Sequence, residues 1–191
     1  MLDDLAKDGA IVSSRDKYIG VYIGILAVVL AICSMGGGNA AKDATLKNIE
    51  AANTWAFFQA KNARRQALHL QADDLELRLA SDANLSEDAK KQIAARVADY
   101  RAQEQKLTTD PERKEGLDEL WQKGKALEQE RDDALKRDPY FDYGEALLQI
   151  AIVLASVAII SGGNFLLFVS LALGGLGMLA TAGGFTLAFP L

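Results

Sequence analysis

Cysteine, histidine and proline are scarce in this sequence of 191 residues. Their scarcity bears on disulfides, on metal sites and on the length of helices, respectively. Cys33 is the only cysteine, so a disulfide within one chain is impossible. His69 is the only histidine; Asp73 lies four residues later, but one imidazole and one carboxylate are too few ligands for a metal site. We interpret His69 and Asp73 as solvated helix residues. The three prolines, at positions 111, 139 and 190, leave long stretches free to form helix.

The sequence also lacks the patterns that would indicate an enzyme. No strand-like alternation occurs, and no glycine-rich loop joins a strand to a helix to hold phosphate. Arg64-Arg65 and Lys90-Lys91 are isolated basic pairs with acidic residues nearby, which disfavours a nucleic-acid partner. We therefore predict no catalytic site, no cofactor and no metal.

Charge is segregated along the chain, so the net charge of −5 and the mean hydropathy of +0.03 mislead when taken alone. Of the 21 Lys and Arg residues, 18 lie between Lys42 and Arg137. From residue 142 onward, only Asp142 and Glu145 are charged. The two ends of the chain must therefore be interpreted separately from its middle.

Three apolar segments, 18–35, 140–161 and 165–189, are predicted to span a membrane. The first has 18 uncharged residues, which as a helix would reach about 27 Å, close to the hydrocarbon thickness. A secretory signal peptide is the competing interpretation of this segment, and a single re-entrant element is the alternative for the last two. Gly36–Gly38 is predicted to end the first helix and form a hinge, and 162–164 to be a tight turn.

The middle, residues 36–139, is predicted to be an extramembrane helical hairpin that follows the N-terminal tail 1–17 and the first span. Its outward limb carries an apolar repeat whose members are alternately three and four residues apart, a spacing typical of a coiled coil. The repeat consists of Leu46, Ile49, Asn53, Ala56, Ala60, Ala63, Ala67 and Leu70. Asn53 either fixes the register of this seam or is partly solvated.

Composition marks the joints of the hairpin. Ser86 is predicted to cap the second helix, with Glu87 and Asp88 in its first turn. Asp110 and Pro111 are predicted to start the return helix, which ends near Arg137. The fold class that we predict is an all-α membrane protein with three transmembrane helices and an antiparallel hairpin or coiled coil.

Small residues four apart in the apolar segments are candidate helix-packing sites. Gly20 and Gly24 form a GxxxG spacing, and Ser170 and Gly174, followed by Gly177, repeat a small-residue spacing. Such residues serve self-association or tight packing within the chain, and chance is the competing explanation.

The run from Trp55 to Lys61, WAFFQAK, resembles a signature of a bacterial family of small membrane proteins of unknown function. The resemblance implies one N-terminal span, a charged helical middle, a two-span hairpin at the end and a place in the bacterial inner membrane. It also implies basic residues in the last turn, where this chain has Gly162-Gly163-Asn164.

Aromatic residues supply candidate interaction sites: Trp55, Phe57, Phe58 and Trp121, together with Asn53 in the seam. Trp55 and Phe58 contact either another subunit or a partner, as large aromatics often do, or the return limb of the same chain.

The charges that flank the apolar segments give conflicting orientations. Lys7, Arg15 and Lys17 before the first segment slightly favour a cytoplasmic N-terminus and a periplasmic helical middle. The second segment favours the reverse, because the turn that follows it has no charge and three basic residues precede it: Arg131, Lys136 and Arg137. We adopt the first orientation, because the first span usually dominates.

The sequence therefore predicts a multi-pass protein of the bacterial inner membrane without enzymatic activity. We expect a homo-oligomer in the lipid bilayer, acting as a scaffold or accessory subunit that self-associates or binds a partner protein of a membrane complex. The alternative is an oligomeric channel or transport component, although no charged residue lies at the centre of an apolar segment.

Overall fold

A computed structural model describes residues 14–187, and within this range the chain is helical apart from short connections. Four helices follow in order: α1 (Ser14–Ser81), α2 (Glu87–Thr108), α3 (Leu117–Ser161) and α4 (Phe165–Thr186). Most of the predicted N-terminal tail and residues 188–189 of the last predicted segment lie outside the described residues.

Three of these helices are long and apolar enough to cross a membrane. The most apolar windows of 18 residues in α1, α3 and α4 have mean hydropathies of 2.4, 2.0 and 2.1. An apolar segment in lipid must satisfy its own backbone hydrogen bonds, and a helix does so internally. The all-helical prediction with three apolar segments is confirmed at this level.

The prediction that Gly36–Gly38 ends the first helix is wrong, because α1 continues through these residues to Ser81. Gly36 and Gly37 serve close packing, whereas a Cβ atom on Gly38 would meet no atom within 4 Å. A Cβ atom on Gly36 would lie 2.5 Å from Cε1 of Phe141, and one on Gly37 would lie 3.1 Å from its Cβ. The aromatic ring therefore fills the space that side chains would occupy, and the surrounding sequence, rich in Ala, keeps the segment helical.

The predicted end of the return helix near Arg137 is also wrong, since α3 runs through Pro139 to Ser161. Proline inside a helix removes one backbone hydrogen bond and typically costs about 3 kcal/mol. The helix nevertheless extends without a break from Leu117 to Ser161.

The start of α3 lies further along the chain than predicted. Asp110 does cap a turn, because its Oδ1 accepts a hydrogen bond from the amide of Arg113 at 3.2 Å. That turn ends at once, and α3 begins only at Leu117. A Cβ on Gly116 would lie 2.5 Å from the amide nitrogen of Asp110, so the chain needs glycine at this point. The predicted cap of α2 is confirmed: the Ser86 hydroxyl accepts from the amide of Ala89 at 3.2 Å.

The chain divides into two compact units. The apolar unit comprises the described parts of Met1–Ala44 and Asp132–Leu191, and the charged unit comprises Thr45–Arg131. The core of the apolar unit contains the fully buried side chains of Leu26, Cys33 and Leu148.

In the charged unit, the first residues of the α1 segment contact the last residues of the unit, and later residues of α1 contact earlier parts of α3 and then α2. Lys47 pairs with Glu130 at 2.8 Å, and Trp55 packs on Trp121. Because the contacts run in opposite order, the chain folds back on itself in this unit. Buried residues on this inner face of α1 include Ala51, Thr54 and Ala72.

Candidate interaction site

Three of the predicted aromatic residues meet within the charged unit. The rings of Trp55, Phe58 and Trp121 pack with centroid separations of 5.1 Å for the two tryptophans, 5.6 Å for Trp55 and Phe58, and 5.9 Å for Phe58 and Trp121. Trp55 meets Trp121 and Phe58 edge to face, an arrangement that is favourable beyond the burial of area alone. Trp55 and Phe58 thus pack on the return helix, which was one of the two predicted roles.

Polar groups and one glycine complete this aromatic cluster. The indole N–H of Trp55 donates to Oε1 of Glu128 at 3.0 Å. Lys125 donates to Glu128 Oε2 at 2.9 Å, and its Nζ lies 5.5 Å from the ring centroid of Trp121. The hydrogen bond from Lys125, and then that from Trp55, hold the pKa of Glu128 below its ordinary value. A Cβ on Gly124 would lie 2.8 Å from the Trp55 ring, so this glycine makes room for the indole.

Sequence reasoning missed Gly124, Lys125 and Glu128. Gly124 did carry a signal, since it is the only glycine between Leu117 and Pro139. A single glycine in a charged helix indicates a close approach by another group.

Two aromatic side chains of the predicted set remain substantially exposed. Trp121 is 47% exposed and Phe57 is 43% exposed, with Nζ of Lys61 5.0 Å from the Phe57 ring centroid. Their role in binding a partner stays a prediction.

The predicted coiled-coil seam lies on the outer face of α1, away from the buried face of the charged unit. All eight of its members are exposed. The exposed fractions of the large ones are 46% for Leu46, 51% for Ile49 and 67% for Leu70. We call the residues Leu46, Ile49, Asn53, Ala56, Ala60, Ala63, Ala67 and Leu70 the outer seam. The helix thus has two apolar faces, and its own chain covers only the inner one.

An ion network joins α1 to α2 around Arg101. Its guanidinium donates to Asp73 at 2.5 Å, to Glu76 at 3.2 Å and to Glu104 at 3.2 Å. The hydrogen bond from Arg101 to Asp73, and then that to Glu104, raise the pKa of Arg101. Arg101 also lies 2.8 Å from Nδ1 of His69, so His69 and Asp73 belong to a larger network than predicted. Within residues 14–187, no group of three or more His, Cys, Asp or Glu could hold a metal ion.

A surface cavity of about 670 Å³ lies beside the joint between α2 and α3. Arg64, Lys106 and Arg113 line it, and so do the carboxylates of Asp110 and Glu112. Because both signs of charge are present, the cavity has no clear preference for an anion or a cation.

The candidate packing residues of the apolar unit fall into two groups. A Cβ on Gly20 or Gly24 would meet no atom within 4 Å, so the GxxxG pair is not used for packing within the described part of the chain. In contrast, a Cβ on Gly174 would lie 2.5 Å from the hydroxyl of Tyr22, and one on Gly177 would lie 2.8 Å from Cγ of Leu148. The small residues of α4 therefore let α1 and α3 approach it closely.

Ser170 links all three helices of the apolar unit by hydrogen bonds. Its fully buried hydroxyl donates to the carbonyl of Ala151 in α3 at 2.7 Å. Its own carbonyl accepts from the hydroxyl of Tyr22 in α1 at 2.9 Å. In an apolar setting such bonds add specificity to a contact that dispersion alone would leave loose.

Arg15 lies against the turn between α3 and α4, a contact that the sequence did not predict. Its guanidinium donates to the carbonyl of Gly163 at 2.9 Å and to that of Ala158 at 3.4 Å. The start of α1 and this turn are therefore at the same end of the apolar unit. The resemblance implied basic residues in this turn, and Arg15 brings a positive charge there from another helix.

We expect Gly177→Leu to lower the free energy of unfolding by about 1–3 kcal/mol, because the added side chain overlaps Leu148. Gly175→Leu is the matched control, since a Cβ there meets no atom within 4 Å and the gain in helix propensity is the same. Thermal unfolding of both variants in mild detergent measures the difference. Equal losses would contradict this packing.

We expect acid to weaken the ion network of the charged unit. Burial raises the pKa of Glu104, but hydrogen bonds from His69 and Arg101 lower it more, so the net pKa is below the ordinary 4.5. A carboxyl whose pKa is lower in the folded chain stabilises fully above its unfolded pKa, and that stability is lost as pH falls through the folded value.

The midpoint of thermal unfolding should therefore fall as the pH is lowered below about 5, and Glu104→Gln should remove part of that fall. Glu112→Gln, a change at an exposed carboxylate outside the network, is the control and should leave the pH dependence close to that of the unchanged protein. The prediction fails if the two variants have the same pH profile.

Comparison with known proteins identifies a family for this chain and no described function. No curated protein and no solved structure matches the chain significantly. A family described as a domain of unknown function, DUF4337, matches residues 15–187, which is nearly the whole chain. This extent agrees with the resemblance to a family of unknown function, and the protein belongs to the DUF4337 family.

Proposed function

We propose that this protein is a membrane-anchored scaffold without enzymatic activity, which self-associates through a coiled coil formed by its charged unit. Its three apolar helices anchor it in the bacterial inner membrane. The observation that carries the proposal is the exposure of the whole outer seam in the single chain.

The scarcity of charged residues on the outer face of α1 supports this proposal. A helix face turned to water normally carries charged side chains. Between residues 45 and 71, the outer seam and its flanking positions carry only Glu50 and Arg64 as charged residues. Covering a fully exposed Leu or Ile typically gains about 1.5–3 kcal/mol. Leu46, Ile49 and Leu70 are half to two-thirds exposed, so each favours association by a part of that amount.

The apolar unit supports self-association independently. Gly20 and Gly24 have no neighbour within 4 Å that would use their small size. A GxxxG pair left open on a lipid-exposed helix is a common site of contact between two such helices.

In the charged unit, the exposed part of Trp121 is a further surface, which we propose for a partner protein of a membrane complex.

We expect the purified full chain to have the mass of an oligomer in mild detergent or lipid nanodiscs, measured by native mass spectrometry. Ala63→Glu places a charge in the middle of the outer seam and should shift the mass toward the monomer. The control is Ala98→Glu, the same change at an exposed alanine of α2. A monomeric unchanged protein would refute the proposal.

The same preparation distinguishes a scaffold from a channel. We expect no ion flux when the protein is reconstituted in liposomes at the concentration where it is oligomeric. If ion flux is observed, and if it is lost in Ala63→Glu and retained in Ala98→Glu, the protein is an oligomeric channel and the proposed scaffold function is wrong.

We propose a cytoplasmic N-terminus and a periplasmic charged unit. Arg15 and Lys17 begin α1, and Arg15 binds the turn between α3 and α4. Positive charge is retained on the cytoplasmic side, so this end of the apolar unit is assigned there. The chain crosses the membrane once between Arg15 and the charged unit, which places the charged unit on the other side.

Labelling of single cysteines in intact cells tests this orientation. In a Cys33→Ala background, Asn84→Cys, in the turn after α1, should react with a membrane-impermeant maleimide. Asn164→Cys, which is also exposed, should react only after the membrane is permeabilised. The opposite pattern would reverse the proposed orientation.

A further inference from the structure

We propose that the outer seam pairs with the outer seam of a second copy of this chain, with the two α1 helices parallel and in register. This inference rests on the proposed self-association and specifies its geometry. The paired segment, from Leu46 to Leu70, would be about 36 Å long at 1.5 Å per residue.

The direction of the pairing follows from the continuity of α1. The helix runs without interruption from its apolar start at Ser14 to Ser81 in the charged unit. Two identical chains that insert in the same way have the same direction across one membrane. Their α1 helices therefore leave the membrane in the same direction, and a coiled coil between them is parallel.

Asn53 selects the register. In a parallel, in-register pair, each residue of the seam faces its own copy, so the two Asn53 side chains can hydrogen-bond to each other. A shift of one heptad would place Asn53 against Leu46 or Ala60. An antiparallel alignment that overlaps the whole seam would place it against Ala63. Each alternative buries an amide beside an apolar side chain, which is unfavourable.

The flanking residues are compatible with this arrangement. In a parallel pair, Glu50 lies beside Thr45 of the other copy, and Arg64 lies beside Gln59 of the other copy. No like charges meet along the seam, and the Gln59 amide oxygen can accept a hydrogen bond from Arg64. The next position of the repeat is Asp74, and two facing carboxylates repel each other. The close contact therefore ends after Leu70.

Cross-linking of single cysteines in native membranes tests direction and register together. All variants are made in the full chain in a Cys33→Ala background. A disulfide requires Cα atoms about 4.4–6.8 Å apart, so it reports close pairing. Ala56→Cys and Ala63→Cys should each cross-link to the same residue of the second copy. Ala98→Cys, exposed on α2, is the control and should not.

Co-expression of differently tagged Ile49→Cys and Ala67→Cys chains tests the antiparallel arrangement. These two positions face each other in the antiparallel alignment and are about 27 Å apart along the axis in the parallel one. We expect no mixed cross-link. A mixed cross-link, with none between like residues, would overturn the parallel arrangement and leave the proposed self-association intact.

Asn53→Leu tests the register separately. Removing the amide should allow a shift of one heptad, so a mixed cross-link between Ala56→Cys and Ala63→Cys chains should appear in addition to the like pairs. If the pattern is unchanged, Asn53 does not set the register. If the oligomeric mass persists and no seam cysteine cross-links, the outer seam is not the interface. A monomeric mass would instead refute the proposed function itself.

Discussion

Close approach between the helices of the apolar unit depends on residues that have almost no side chain. Phe141 occupies space next to Gly36 and Gly184, and Leu148 occupies space next to Gly177. In the proposed membrane setting, lipid tails are as apolar as leucine, so water does not drive such helices together, and dispersion forces at short range must hold them. Ser170 adds directional hydrogen bonds at the point where all three helices meet.

Local features of the sequence predicted the helical class, the three apolar segments and the cap at Ser86, because hydropathy and capping depend on residues close together in the chain. The same local reasoning failed at Gly36–Gly38, where glycine was interpreted as freedom of the backbone. Whether glycine ends a helix or admits a neighbour depends on Phe141, about a hundred residues away. Local reasoning failed in the same way at Pro139, because α3 does not end there and continues to Ser161.

The sequence could not show which face of α1 its own chain would cover. The outer seam has the more regular repeat, yet the inner face combines small Ala51 and Ala72 with the bulky ring of Trp55. Such unequal sizes fit together only because Gly124 lies opposite the indole. The contact of Arg15 with Gly163 joins residues 148 positions apart, and no local pattern indicates it.

Only Gly162, Gly163 and Asn164 separate α3 from α4. Three residues extend at most about 10 Å, so the end of α3 and the start of α4 must lie close together. In the proposed setting, the insertion machinery therefore receives them as one helical hairpin. The helix α4 has no charged residue to set its own direction, and it inherits its direction from α3.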